Sequence, residues 1–404
     1  MVAALGSTES FLTSMFSTFT GGVGSLATMM IALFSISGLL SYMMDQTGCS
    51  VSVGRTFVRW LGTDKCYLAI SFTSVLLALA GVTGIYVVAL VALPLMKEAN
   101  LPRRIGMLAA QGVAPAINFC LPVANVPGTI PNQFLGTSVY SAPLLSIATG
   151  VVGLILFFVY ITYAVKKARE NGEGFTDLEG KEVKAYDEKD LGELPSFVTS
   201  VLPLLAVVVI SIVLSACTSM ESAAVVVTAQ LCACILIAIF HFDRCRKVTF
   251  TKLLSEGVTS MWGFLVLACC VYGFGQVVAT CAAFQPIQDA VLSLNVNPYV
   301  TVVVSVAVVA FLCSDGIAAM MVWLPLFGQT YLDMGVNAGA LRRLLLCTTQ
   351  TFDSMPHAQS TAITLGLFGL THKEGYKDLF ITTVVFPVIF TIFCCICCII
   401  FYPV

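Results

Sequence analysis

Long apolar runs separated by short polar stretches dominate the chain. A bilayer core about 30 Å thick takes roughly 20 residues of helix. Eight runs fit that length: 26–44, 105–121, 144–165, 197–217, 223–242, 258–284, 344–370 (interrupted) and 379–402. Two more fit no single crossing. Residues 66–96 carry no charge and would make one helix about 46 Å long, but Gly81-Val82-Thr83-Gly84 interrupts them near the middle. Residues 298–332 are interrupted midway by Ser314-Asp315-Gly316. Each half is too short to cross, so both runs predict re-entrant helical hairpins. Irregular backbone survives at membrane depth only where protein or a wet cavity covers it. The pattern therefore predicts an all-α polytopic membrane protein with about eight full spans and two hairpins.

Composition narrows the reading. Hydrophobic residues make up 58% of the chain and charged residues 10%, against about 25% charged in a soluble domain. A soluble enzyme, a nucleic-acid binder and a disulfide scaffold are excluded on that ground. The net charge of −2 offers no field for steering a polyanion. Most of the sixteen cysteines lie inside apolar runs, as in Cys394-Cys395-Ile396-Cys397-Cys398. They read as small lipid-compatible side chains, not as a metal site or cross-links. There is no phosphate-cradling Gly-Lys-Ser/Thr loop, and no cofactor is expected. The first 24 residues are mostly small and polar and show no signal-peptide pattern.

Lysine and arginine favour cytoplasmic loops and so orient the spans. Arg55, Arg59 and Lys65, then Lys97, Arg103 and Arg104, then Lys166, Lys167 and Arg169 all fall on one side, provided 66–96 returns to the side it entered from. Arg244, Arg246, Lys247 and Lys252, and Lys373 with Lys377, join them. Arg342 and Arg343 dissent and fall on the outer side.

The two ends of the chain resemble each other. Gly81-Val82-Thr83-Gly84 matches Ser314-Asp315-Gly316, Pro94 matches Pro325, Arg103-Arg104 matches Arg342-Arg343, and the segment from Phe119 to Pro122 matches that from Phe352 to Pro356. The charge flanks of the first span are reversed around 258–284, so the repeats are inverted. The division expected is repeat one over 1–165, a cytoplasmic linker over 166–195 and repeat two over 196–404. Each repeat holds a hairpin and a broken transmembrane helix. Repeat two carries two extra spans, 197–217 and 223–242. Repeat one begins as if two N-terminal helices were absent. Inverted repeats with interrupted segments in matching places point to a secondary transporter whose site lies between the repeats.

Particular residues then carry a resemblance. Lys97-Glu98-Ala99-Asn100-Leu101-Pro102-Arg103-Arg104, Phe134-Leu135-Gly136-Thr137, Asp353-Ser354-Met355-Pro356-His357 and the run from Gly369 to Asp378 resemble the gluconate:proton symporter family. Gly81-Val82 and the Glu-Ala-Asn-Leu-Pro segment are closer to its 3-hydroxybutyrate permease branch. The resemblance covers roughly residues 10–390. It implies proton-coupled uptake of a small hydroxy-monocarboxylate across the cell membrane, in a superfamily of hairpin-bearing ion transporters. Many of those are dimers that move by an elevator motion. A sodium-coupled carrier or exchanger, and an inactive shortened member, are the alternatives. An intramembrane hydrolase using Asp315 and Asp353 is a further alternative from another class.

Candidate residues follow from the need to hold an anion and a proton in a low-dielectric setting. Half-helix N-termini suit carboxylates, which selects Gly81, Thr83 and Gly84 in the first hairpin and Ser314 and Gly316 in the second. Asp315 lies deep in an apolar run, where a charge is costly enough to imply a task. His357 titrates near neutrality and stands four residues from Asp353, so Asp315, Asp353 and His357 are the expected proton-coupling groups. Asn125, Thr129 and Asn132, with Gln133 nearby, and Ser360 and Thr361 supply neutral donors and acceptors for hydroxyls.

Overall fold

The computed structural model describes residues 7–81, 85–177, 194–248, 250–282 and 296–404. Among these all named elements are helical. Six helices are long and apolar enough to cross a membrane: α1 (Phe11–Gln46), α7 (Pro143–Glu170), α8 (Phe197–Cys217), α9 (Ser222–Phe240), the bent pair Thr251–Ala279 and α17 (His372–Phe401). Shorter elements fill the sequence between them. These are α2 (Cys49–Leu61), α3 (Cys66–Leu79), α4 (Ile85–Glu98), α5 (Arg103–Gln111), α6 (Val126–Leu135), α10 (Phe242–Lys247), α11 (Phe250–Thr259), α12 (Trp262–Ala279), α13 (Pro298–Cys313), α14 (Gly316–Asp333), α15 (Ala338–Thr349) and α16 (Gln359–Leu367).

The helix pair α13–α14 is an antiparallel hairpin. Tyr331 Oη donates to Thr301 Oγ1 at 3.0 Å and Trp323 Nε1 donates to Ser305 Oγ at 2.9 Å. Partners on α14 move back along the chain as α13 advances. Trp323 is fully buried and stacks on Phe327 and Tyr331. Sixteen residues of α13 span about 24 Å, short of a bilayer core. The tip is formed by Ser314, in the left-handed region at φ 49°, and by Asp315. The Asp315 carboxylate accepts the Ala318 N–H at 2.7 Å as an N-cap. The pair α3–α4 is the other hairpin; its chain leaves α3 through Gly81 at φ 73°. Residues 82–84, which include Thr83 and Gly84, lie outside the described residues.

Two expected spans are broken helices. The run at 344–370 divides into α15 and α16, as its interruption suggests. The run at 105–121 departs from expectation: α5 ends at Gln111, a π-helical turn covers Ala116–Cys120, and the chain is extended at Leu121 before α6 begins. Pro122 removes a backbone donor just past the π-helical turn, and Pro127 at the first turn of α6 suits a fresh helix start. After its break, each of these elements packs on the second arm of the other hairpin: α6 lies against α14, and α16 lies against α4.

Other differences have plain causes. The span expected over 26–44 extends back to Phe11 as α1. Its Gly, Ser and Thr residues read as polar, but they let helices approach closely; a Cβ on Gly22 would stand 2.9 Å from Gly273 Cα. The span expected over 258–284 bends between Thr259 and Trp262, where Gly38 of α1 abuts the Gly257 carbonyl. The linker expected to open at 166 is still helical to Glu170, and residues 178–193 lie outside the described residues. The segment read as a cationic loop after the first span is α2, whose Arg55 forms a two-pronged pair with Glu98 at 3.1 Å. Arg342 and Arg343 are no loop charges at all. They sit inside α15, 1% and 0% exposed, so they carry no weight in a rule about loops.

Candidate functional site

Ser314, Asp315, Gly316, Asp353, His357 and Ser360 come together where the second hairpin tip meets the break between α15 and α16. The Asp353 carboxylate accepts the Gly316 N–H at 2.6 Å. Ser314 Oγ and His357 Nε2 are 2.5 Å apart. The Ser360 hydroxyl donates to the Asp353 carbonyl at 3.4 Å. Two carboxylates thus sit at the positive end of α14, each on one of its first N–H groups. The N–H of Gly316, expected to meet a substrate anion, is already engaged by Asp353. Gly316 leaves room there: a Cβ would stand 3.2 Å from Asp353 Oδ1 and would push the Gln350 amide aside. His357 is exposed at the edge of this cluster, Thr361 is buried, and the Thr361 hydroxyl has no protein partner.

The first hairpin tip meets the other break. A Cβ on Gly81 would stand 2.6 Å from the Ala124 carbonyl oxygen and 3.0 Å from Gln230 Nε2. Beside it, Asn125 caps α6 by accepting the Gly128 N–H at 2.8 Å and donates to the Asn118 carbonyl at 3.1 Å. Thr129 donates back to the Asn125 carbonyl at 2.7 Å. Asn132 accepts from Arg342 Nε at 2.5 Å and from Thr137 Oγ1 at 3.0 Å. Asn125 and Thr129 spend their hydrogen bonds on the broken segment itself, while Asn132 also receives Arg342 of α15. A cavity of about 590 Å³ adjoins this break, with Leu79, Leu121, Pro122, Tyr140 and Ser215 in its wall.

Three residues at these breaks were not selected from the sequence: Gln230, Arg342 and Arg343. Gln230 on α9 is fully buried; its Oε1 accepts the Ser37 hydroxyl at 2.9 Å, and its Nε2 has no hydrogen-bond partner. An amide in the middle of an apolar span was a usable signal. Arg343 Nη1 donates to the Phe119 carbonyl at 2.6 Å and the Leu121 carbonyl at 3.2 Å, more than two hundred residues earlier in the chain. Arg342 Nη2 donates to the Gly128 carbonyl. The signal for both was their disagreement with the loop-charge pattern. Arg103 and Arg104, their expected counterparts, hold different places. They begin α5, where Arg103 binds the Phe368 and Gly369 carbonyls and Arg104 pairs with Glu173 and Asp378.

Comparison with known proteins agrees with a transporter. An uncharacterized transporter of Bacillus subtilis, YxjC, is 22% identical over 394 residues, covering 87% of this chain and 83% of its own length. An uncharacterized transporter of Haemophilus influenzae is 22% identical over 362 residues, covering 88% and 81%. The crystal structure of the Alcanivorax borkumensis YdaH transporter, described as having an unusual topology, superposes with a TM-score of 0.63 at 15% identity. It covers 97% of this chain and 90% of that one, and so shares the fold. Residues 129–400 match the model of the Na+/H+ antiporter family, a stretch holding the second hairpin, both buried arginines and the Asp353 break. This multi-pass membrane protein belongs to the Na+/H+ antiporter family.

Proposed function

We propose that the chain is a secondary active transporter coupling proton movement to uptake of a small hydroxy-monocarboxylate, such as 3-hydroxybutyrate or gluconate, across the plasma membrane. The observation that carries this reading is the meeting of Asp315, Asp353, Ser314 and His357 at the second hairpin tip. Two carboxyls at one hairpin tip, with an imidazole at its exposed edge, offer a path for a proton during each cycle. The resemblance of the 353–357 and 369–378 segments to gluconate:proton symporters supplies the substrate class. Broken segments in both halves of the chain fit a site between inverted repeats. An elevator-type motion of a homodimer belongs to the same proposal.

Sodium–proton exchange is the second reading, favoured by the matching family and by the carboxylate and hydroxyl oxygens of the same cluster. Proteoliposomes separate the two. Labelled 3-hydroxybutyrate uptake driven by an inward proton gradient, and indifferent to sodium, is expected. Sodium flux against a proton gradient, with no uptake of 3-hydroxybutyrate or gluconate, would replace the first reading with the second.

A further inference from the structure

We infer that Arg342 and Arg343 form the anion-binding element of the transporter, and that the ligand they take is a small monovalent carboxylate. The inference rests on the carrier reading above and gives it a substrate-binding group.

Both guanidinium groups are enclosed, 1% and 0% exposed. Arginine keeps its charge in proteins, so two adjacent full positive charges lie in the interior. Their acceptors are all neutral: the Asn132 amide and the Gly128, Phe119 and Leu121 carbonyls. No carboxylate pairs with either group among the described residues. Three guanidinium nitrogens, Arg342 Nη1 and Arg343 Nε and Nη2, have no protein acceptor. A buried charge without a partner is strongly unfavourable, and a mobile anion relieves it.

The free positions indicate the shape of that anion. Nε and Nη2 form one edge of the guanidinium, the fork that meets both oxygens of a carboxylate. On Arg343 that edge is free, while Nη1 is held by the Phe119 and Leu121 carbonyls and fixes the plane of the group. Charge balance indicates the valence. Asp315 and Asp353 stand at the far end of the same element, about 10 Å beyond Arg343 along α15 by helical rise. With both carboxylates ionised the four groups sum to zero. A proton on one of them leaves a single positive charge, which one monoanion cancels.

The test is equilibrium binding to purified protein at pH 6, with labelled 3-hydroxybutyrate as probe and its uncharged amide as competitor. The wild type is expected to bind the acid saturably. Arg343→Gln is expected to weaken binding by about 30-fold, and Arg343→Lys by about tenfold because it lacks the fork. Affinity within threefold of wild type in Arg343→Gln, with wild-type binding intact, overturns the inference and leaves the carrier reading standing. Failure of the wild type to bind or transport the acid removes both. If Arg343→Gln does not fold, Arg343→Lys decides: a loss of about tenfold upholds the inference and affinity within threefold of wild type overturns it. Displacement of the acid by an equal concentration of the amide overturns the role of charge, and no displacement at hundredfold excess upholds it.

Discussion

The carboxylate of Asp353 accepts the backbone N–H of Gly316 at 2.6 Å, so the break between α15 and α16 is tied to the tip of the α13–α14 hairpin. Asparagine at 353 keeps an oxygen for that N–H and removes the titrating group. Asp353→Asn is therefore expected to retain the wild-type melting temperature within a few degrees. Proton-driven uptake should fall at least tenfold, while exchange of labelled for unlabelled substrate persists. Asp353→Ala leaves the N–H unmatched and is expected to cost about 1–3 kcal/mol of stability. Chemical unfolding of the two variants side by side checks the contrast.

Gly81 has φ 73°, and a side chain there would enter the Ala124 carbonyl. Gly81→Ala is expected to abolish transport and lower the melting temperature by several degrees, through left-handed strain and displacement of the first break. Gly366 in α16 has nothing within 4 Å of its would-be Cβ. Gly366→Ala is expected to leave transport intact and to be neutral or slightly stabilising, since alanine suits a helix better by about 1 kcal/mol. Equal loss of transport in both would show that the effect at 81 is not one of conformation.

The long spans were legible because lipid-facing helices must be apolar for about 20 residues, and 144–165, 197–217 and 379–402 are so without interruption. The turn at Ser314-Asp315 was legible because a carboxylate has no other reason to lie inside such a run. The break after 121 was legible from its prolines and its match to the Asp353 segment, but the end of α5 at Gln111 was not, because apolar residues continue across it. Burial of Arg342 and Arg343 was hidden for a related reason. Charge is read as loop, and nothing local says that carbonyls 119, 121 and 128, more than two hundred residues away, will receive them. The role of Asn132 depended on one of those same distant partners, Arg342.

Arg104 joins three elements at one rim of the molecule. It contacts Asp378 at 2.6 Å and Glu173 at 2.7 Å, and the Tyr160 hydroxyl donates to the other Asp378 oxygen at 2.7 Å. Burial works to raise the Glu173 pKa, but hydrogen bonds from Arg104 and Asn171 and the Arg104 charge hold it below the ordinary carboxylate value. Its contribution to stability is therefore present above about pH 4.5 and is lost as pH falls through the lower folded-state pKa. Arg104→Gln is expected to cost about 2 kcal/mol near neutrality and to flatten this acid limb. Melting temperatures between pH 3.5 and 7 for both proteins check it.

Charge balance among Arg342, Arg343, Asp315 and Asp353 predicts one proton per monocarboxylate. Uptake of 3-hydroxybutyrate into proteoliposomes is then expected to carry no net current. A potassium diffusion potential of either sign should leave its rate unchanged at fixed pH gradient. Acceleration by an inside-negative potential would mean that more than one proton accompanies each anion.

Cys120 and Cys347 meet at 3.7 Å where the two broken segments cross, and the bonds from Arg343 to the Phe119 and Leu121 carbonyls hold the same crossing. Under the proposed transport cycle, such a tie favours carrying both broken segments together as one block over parting them like jaws.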